Sequence, residues 1–159
     1  ERLPEPADLP QLPKLRQIVA ETLRLYPPGW LMTLVPLEDL ELGGYHIPAS
    51  SMVMMCPWLM HRDPRFFDDP LAFRPERWTP ELQEKMPKFA YFPFGGGPRV
   101  CIGEHFAWME AIMVLAVVLR SYRLELAPDA RVEVLPVLTL RARHGMPMIA
   151  RRREAGERK

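Results

Sequence analysis

Residues 92–107 read FPFGGGPRVCIGEHFA, and the side chain there with the richest chemistry is Cys101. Gly95, Gly96 and Gly97, with Pro98 behind them, do not build a regular element, so the chain must bulge at this point. Past Cys101, apolar residues and good helix formers predict a helix over 102–122, with Gly103 and Glu104 in its first turn. A cysteine at a helix N-terminus meets the positive end of the helix dipole and several unpaired backbone N–H groups, an environment that favours an anionic sulfur. The glycines let the backbone come close to a bulky, flat ligand that side chains would keep away. Arg99 places a positive charge two residues upstream, within reach of the sulfur or of an acidic ligand edge. The stretch reads as an anionic sulfur ligand offered from a tight loop.

Other glycine–cysteine chemistries fail on the letters. A phosphate-cradling P-loop needs Gly-Lys followed by Ser or Thr, which does not occur. A dinucleotide fingerprint counted from Gly95 and Gly97 would want a third glycine where Val100 stands. A phosphatase-like Cys-(five residues)-Arg loop would want arginine at Ala107. Zinc held by Cys101 and His105, four apart on one helical face, would need two further ligands that do not cluster. A plain structural cysteine is the ordinary reading of any single Cys, and the context here weighs sharply against it.

Phe94, Gly97, Arg99, Cys101 and Gly103 together resemble the heme-binding loop of the cytochrome P450 family: Phe, two residues, Gly, one, Arg, one, Cys, one, Gly. Two more segments resemble the family in its order along the chain. Glu21 and Arg24, in AETLRLYPP, are similar to its Glu-two-residues-Arg helix, and Arg77, in FRPERW, resembles the arginine of its meander. The resemblance covers essentially the whole chain.

The elements that must position these residues are readable in part. Leu15, Ile18, Val19, Thr22, Leu23 and Tyr26 recur at helical spacing over 13–26, and Pro27-Pro28 end that helix. Glu21 and Arg24 lie three apart on it. Read locally, they are an exposed pair contributing a few tenths of a kcal/mol; the resemblance implies instead a buried structural network with Arg77. Residues 30–36 and 37–42 read as short strands, Gly43-Gly44 as a hairpin turn, and 45–47 and 52–55 as a continuation of the sheet. Cys56 reads as a small core hydrophobe, 57–60 as a short helix, and His61 in HRDP as a structural turn residue. Residues 66–91 form a long meander with few regular periods. Residues 123–126, 132–135 and 148–151 read as strands, and 1–13 as a loop or turn. The helix after Cys101 is apolar on most faces and should be central and buried.

The chain has 159 residues, 48% of them hydrophobic, enough for one core. Its formal net charge of +1 gives no reason to expect a nucleic-acid partner. Two cysteines make no disulfide framework, and a reduced setting is the simpler reading. The longest apolar run, residues 111–119, is too short to span a bilayer. With the resemblance, this sets the expectation of a soluble, cytoplasmic protein. The expected fold class is α+β: a mostly helical P450-type fold with a buried helix behind the Cys loop, short antiparallel strands and a long meander. Residues 1–152 are expected to be the C-terminal, proximal part of a single such domain, and 153–159 a charged tail.

What the resemblance implies at the site follows residue by residue. The cofactor is heme b, with Cys101 as the axial ligand of its iron. Backbone N–H groups around Ile102 and Gly103 hydrogen-bond the sulfur, Phe94 packs against the proximal ring face, and Arg99 pairs with a propionate. Gly95 and Ala107 keep the backbone close to the porphyrin. Leu31, Thr33 and Leu34, with Leu138 and Thr139, are candidate walls against an apolar substrate. Lys85 and Lys88 join a basic face toward an acidic electron-transfer partner. The implied reaction is monooxygenation by O2, with electrons from NAD(P)H through a ferredoxin or flavoprotein reductase. No residue of this chain is expected as catalytic acid or base, because the family's proton-relay residues lie on an upstream helix. Competing readings are a non-catalytic heme-binding remnant and a peroxide-using heme-thiolate enzyme.

Overall fold

The computed structural model describes residues 2–154. Helix α1 (Pro13–Leu25) opens on Pro13, whose fixed φ suits a first helical position, and ends before Pro27-Pro28. Its inward stripe buries Val19, Ala20, Glu21, Arg24 and Leu25. Ahead of it, Pro6–Gln11 winds a 3-10 turn where only a loop or turn was expected.

The strands pair locally. Strand β1 (Met32–Leu34) pairs antiparallel with β4 (Val53–Met55), and β2 (Leu40–Leu42) with β3 (Tyr45–Ile47). Gly43 and Gly44, at φ 59° and 84°, supply the two positive φ values that a tight hairpin turn with matching twist needs. The single continued sheet expected over 30–55 is thus two separate two-stranded ladders. After α2 (Pro57–Met60) comes the meander, which carries more regular structure than expected: a 3-10 turn at Pro75–Arg77 and helix α3 (Pro80–Lys85). Its start was legible, since Thr79 caps it by accepting the Leu82 N–H at 3.3 Å and Pro80 takes the first helical position.

Helix α4 (Glu104–Ser121) begins two residues later than expected, because Cys101 to Gly103 form a turn in which the Cys101 carbonyl accepts the Glu104 N–H at 3.3 Å. It packs along α1. Ile112 is its buried residue, while Phe106, Val114 and Val117 stay open. Beyond it, β5 (Tyr122–Leu126) pairs with β8 (Met148–Arg152), and β6 (Val134–Pro136) with β7 (Leu140–Ala142), a strand the sequence pattern did not mark. Of the expected tail, residues 155–159 lie outside the described part of the chain.

The core sits between α1 and the meander. Ala20, Phe67 and Trp78 form its buried centre, with Phe66, Leu82, Met86, Tyr91 and, from α4, Trp108 packed around them.

Candidate functional site

Glu21 is the charge on which the lower half of the site is built. It is fully buried and accepts five hydrogen bonds. Arg24 grips it with two, Nε at 2.9 Å and Nη2 at 2.8 Å; Arg77 Nε adds one at 3.1 Å, the Arg74 N–H one at 2.8 Å, and the Trp78 indole one at 2.9 Å. Burial by itself would raise the Glu21 pKa, yet the bonds from Arg24, Arg74 and Trp78 outweigh it and hold the carboxyl below its ordinary value. Arg24, also fully buried, spends its remaining donors on the carbonyls of His61 (2.8 Å), Pro70 (2.6 Å) and Ala72 (3.0 Å). Arg77 reaches the Asp68 carbonyl at 2.6 Å. The charges are therefore paired, and their spare N–H groups stitch α1 to the meander. Trp78 is a member of this network that sequence reasoning missed. Its place right after Arg77 in FRPERW was a usable signal.

Above this floor stands the Cys101 loop. Gly95 sits at φ 78° and Gly97 at φ 67°, conformations that favour glycine. A Cβ on Gly95 would also meet the Met32 sulfur at 3.5 Å, so β1 lies directly against the loop. The loop is closed by its own backbone: Gly95 N–H to the Phe92 carbonyl at 3.0 Å, and Cys101 N–H to the Phe94 carbonyl at 3.0 Å. Cys101 is a free, exposed thiol, and Gly103 is close enough that a Cβ there would lie 3.7 Å from its sulfur. Phe94 is half-buried, its ring 6.3 Å from that of Trp108; Ala107 is half-buried on the first turns of α4. Arg99 is exposed, and Ile102 fully so at 102%.

The donor set is one outward-facing sulfur, one free-standing guanidinium and open apolar side chains (Val100, Ile102, Phe106) around them. Such a set suits a flat, largely apolar group with an acidic edge and a thiophilic centre. Heme has these properties, and the residues present fit it.

The two candidate substrate walls, more than a hundred residues apart in sequence, are tied together. The Trp30 indole donates to the Val137 carbonyl at 2.8 Å, and the Leu140 N–H to the Pro28 carbonyl at 2.9 Å. This brings the β6–β7 turn with Leu138 and Thr139 beside the segment holding Leu31, Thr33 and Leu34. Leu31 is half-buried and the other four are exposed. No local signal marked Trp30, because its partner is 107 positions away. Cys56 is half-buried at the start of α2, its thiol 3.3 Å from the Trp30 carbonyl. Lys88 is exposed, with its ammonium over the Phe89 ring at 5.1 Å, and Lys85 is exposed at the end of α3.

The family model described as Cytochrome P450 matches residues 1–142. The chain is 40% identical over 141 residues to cyclooctatin synthase of Streptomyces melanosporofaciens, covering 89% of this chain and 31% of that protein. It is 38% identical to human cytochrome P450 4V2 over 159 residues, 96% of this chain and 30% of that one. Among solved structures, the cytochrome P450DA heme domain superposes with a TM-score of 0.90 at 30% identity, over 99% of this chain and 35% of that one. The chain spans about a third of the length of these relatives.

Proposed function

The chain belongs to the cytochrome P450 family, and from that premise we propose that it is the proximal, heme-holding part of a heme-thiolate monooxygenase, residues 1–152 forming part of one domain. The observation that carries this reading is the free Cys101 thiol, exposed on a loop that is held by its own backbone bonds. Bound there, heme b supplies the activation of O2: one oxygen atom enters an apolar substrate and the other leaves as water, with two electrons drawn from NAD(P)H through a ferredoxin or flavoprotein reductase.

This chain's residues bind and orient. Cys101 would hold the iron. Gly95 and Gly97 would leave the group room to approach the backbone, Phe94 would pack against it near the sulfur, and Ala107, being small, would let α4 run close beside it. N–H groups near Ile102 and Gly103 temper the sulfur's charge, and Arg99 neutralises a carboxylate on the group's edge. Leu31, Thr33, Leu34, Leu138 and Thr139 line one side of the space for an apolar substrate. Exposed Lys85 and Lys88 give an acidic redox partner a place to approach. Proton delivery is assigned to no residue of this chain. Among the described residues no helix is long and apolar enough to cross a membrane, and a soluble cytoplasmic setting is part of the proposal.

The test is the absorption spectrum of the chain reconstituted with heme, reduced and exposed to carbon monoxide, beside Cys101→Ser. A red-shifted, thiolate-type Soret band that disappears in the variant supports the assignment. A histidine-type band in both proteins, or no heme uptake by either, would overturn it for this chain.

A further inference from the structure

We propose that His61 is a positioning residue for the Cys101 loop, its buried Nε2 accepting the Phe92 N–H and so tying the loop's first residue to the Glu21–Arg24 network; the consequence for the sulfur rests on the heme-thiolate reading. His61 is fully buried at the end of α2, its ring 5.0 Å from that of Tyr91 and 5.4 Å from that of Phe92. Nε2 lies 2.9 Å from the Phe92 nitrogen. A backbone amide can only donate, so Nε2 must carry the lone pair and the ring proton sits on Nδ1. Nδ1 has no hydrogen-bond partner. The Arg24 and Leu23 backbone beside the ring offsets that burial only in part, a cost that a leucine or phenylalanine in the same space would not carry. What the imidazole offers in return is the acceptor at Nε2.

That acceptor stands at a junction. On one side, the His61 carbonyl takes a 2.8 Å bond from Arg24 Nη1, so its backbone is fixed by the same guanidinium that grips Glu21. On the other, the Phe92 carbonyl accepts from Gly95, and two residues on, the Phe94 carbonyl accepts from Cys101. A continuous line of hydrogen bonds and short backbone steps runs Glu21, Arg24, His61, Phe92, Phe94, Cys101. Without the Nε2 bond, the line breaks at Phe92, and this end of the loop keeps only packing and the neighbouring Tyr91 hydroxyl, which donates to the Ala20 carbonyl of α1 at 3.1 Å. The ring stays neutral at neutral pH, since burial, joined by the Arg24 and Arg62 charges, outweighs the pull of the Arg24 and Leu23 backbone toward the protonated form.

The experiment compares the wild-type chain with His61→Leu, which keeps bulk and loses the acceptor, and His61→Gln, whose amide oxygen can restore it. Amide hydrogen exchange is read at 92–101, with α4 and the β2–β3 hairpin as internal references. We expect exchange at Phe92 and Cys101 to rise roughly tenfold in the leucine variant, the references to hold, and glutamine to recover most of the protection. Unchanged exchange in His61→Leu, an equal rise in α4 and loop, or no recovery with glutamine would each overturn the proposal. In the heme-loaded protein, the leucine variant should lose part of its thiolate-type carbon-monoxide band while glutamine keeps it. Should the wild type itself show no thiolate-type band, the heme-thiolate reading falls, whereas the exchange data still decide the tie.

Discussion

Arg24 shows how little of a residue's role its local spacing reveals. Three positions from Glu21 on a helix, the two could have been a solvent-exposed pair, yet both are fully buried and Arg24 also feeds the His61 carbonyl and two carbonyls of the meander. Replacing Arg24 with Leu leaves Glu21 buried with fewer partners and strands those carbonyls. We expect a loss of about 3–5 kcal/mol in urea unfolding, against under about 1 kcal/mol for a surface pair. Two buried groups then set an acid-side instability. His61 titrates at about 4 in the fold, lowered by burial and by Arg24 and Arg62, against about 6.5 unfolded. Its contribution is present above about 6.5 and is lost as pH falls toward 4, because in that window the unfolded chain binds a proton that the folded chain does not. The slope should approach 1.4 kcal/mol per pH unit. Glu21, also lowered, adds its loss further down, below its ordinary 4.5. Urea midpoints measured from pH 7.5 to 4 in the wild type and His61→Gln should diverge in the upper window only.

At the scale of elements, the Cys101 loop and the meander press on each other at Phe89 and Gly96. Phe89 takes a positive φ of 67°, and its ring lies where a Gly96 side chain would go: a Cβ there would come within 2.2 Å of ring atom Cε1. Because the ring is half exposed it can swing aside, so Gly96→Ala should destabilise by about 1 kcal/mol, the low end for overpacking. In a Phe89→Ala background the same change should cost next to nothing. A double-mutant cycle on urea midpoints measures this coupling, and additive effects would show that the contact is not energetic. The helix at Pro80–Lys85 is the element whose signals, a Thr cap and a Pro at the first position, were present in the sequence and were outweighed by the irregular company around them.

Over the whole molecule, apolar surface is out of balance with the core. Ile102, Leu37 and Leu138 are almost wholly exposed, and α4, apolar on most faces, buries one residue. The chain covers about a third of its relatives' length, and under the proposed reading, a part of one domain, much of this surface would face the rest of it. Large contiguous apolar exposure drives dye binding and self-association. We expect the isolated chain to bind the hydrophobic dye ANS strongly and to associate as concentration rises in sedimentation velocity. Weak dye binding from a concentration-independent monomer would mean that these faces cover one another in solution.

The sequence by itself determined the Cys loop, both ends of the first helix, the hairpin at Gly43-Gly44 and the family, because each is written in neighbouring letters: glycines where φ must be positive, prolines where a helix must stop, a cysteine at a fixed offset from phenylalanine, arginine and glycine. Only the tertiary structure decided what lies beneath the loop. That Trp78 and the Arg74 backbone join the Glu21–Arg24–Arg77 network which the family resemblance implied, that Trp30 closes onto Val137, and that His61 turns its lone pair to Phe92 are contacts between positions 31 to 107 residues apart. Burial made those partners obligatory: a carboxylate or an imidazole out of water must find its hydrogen bonds wherever the fold brings a donor, and sequence spacing carries no record of where that is.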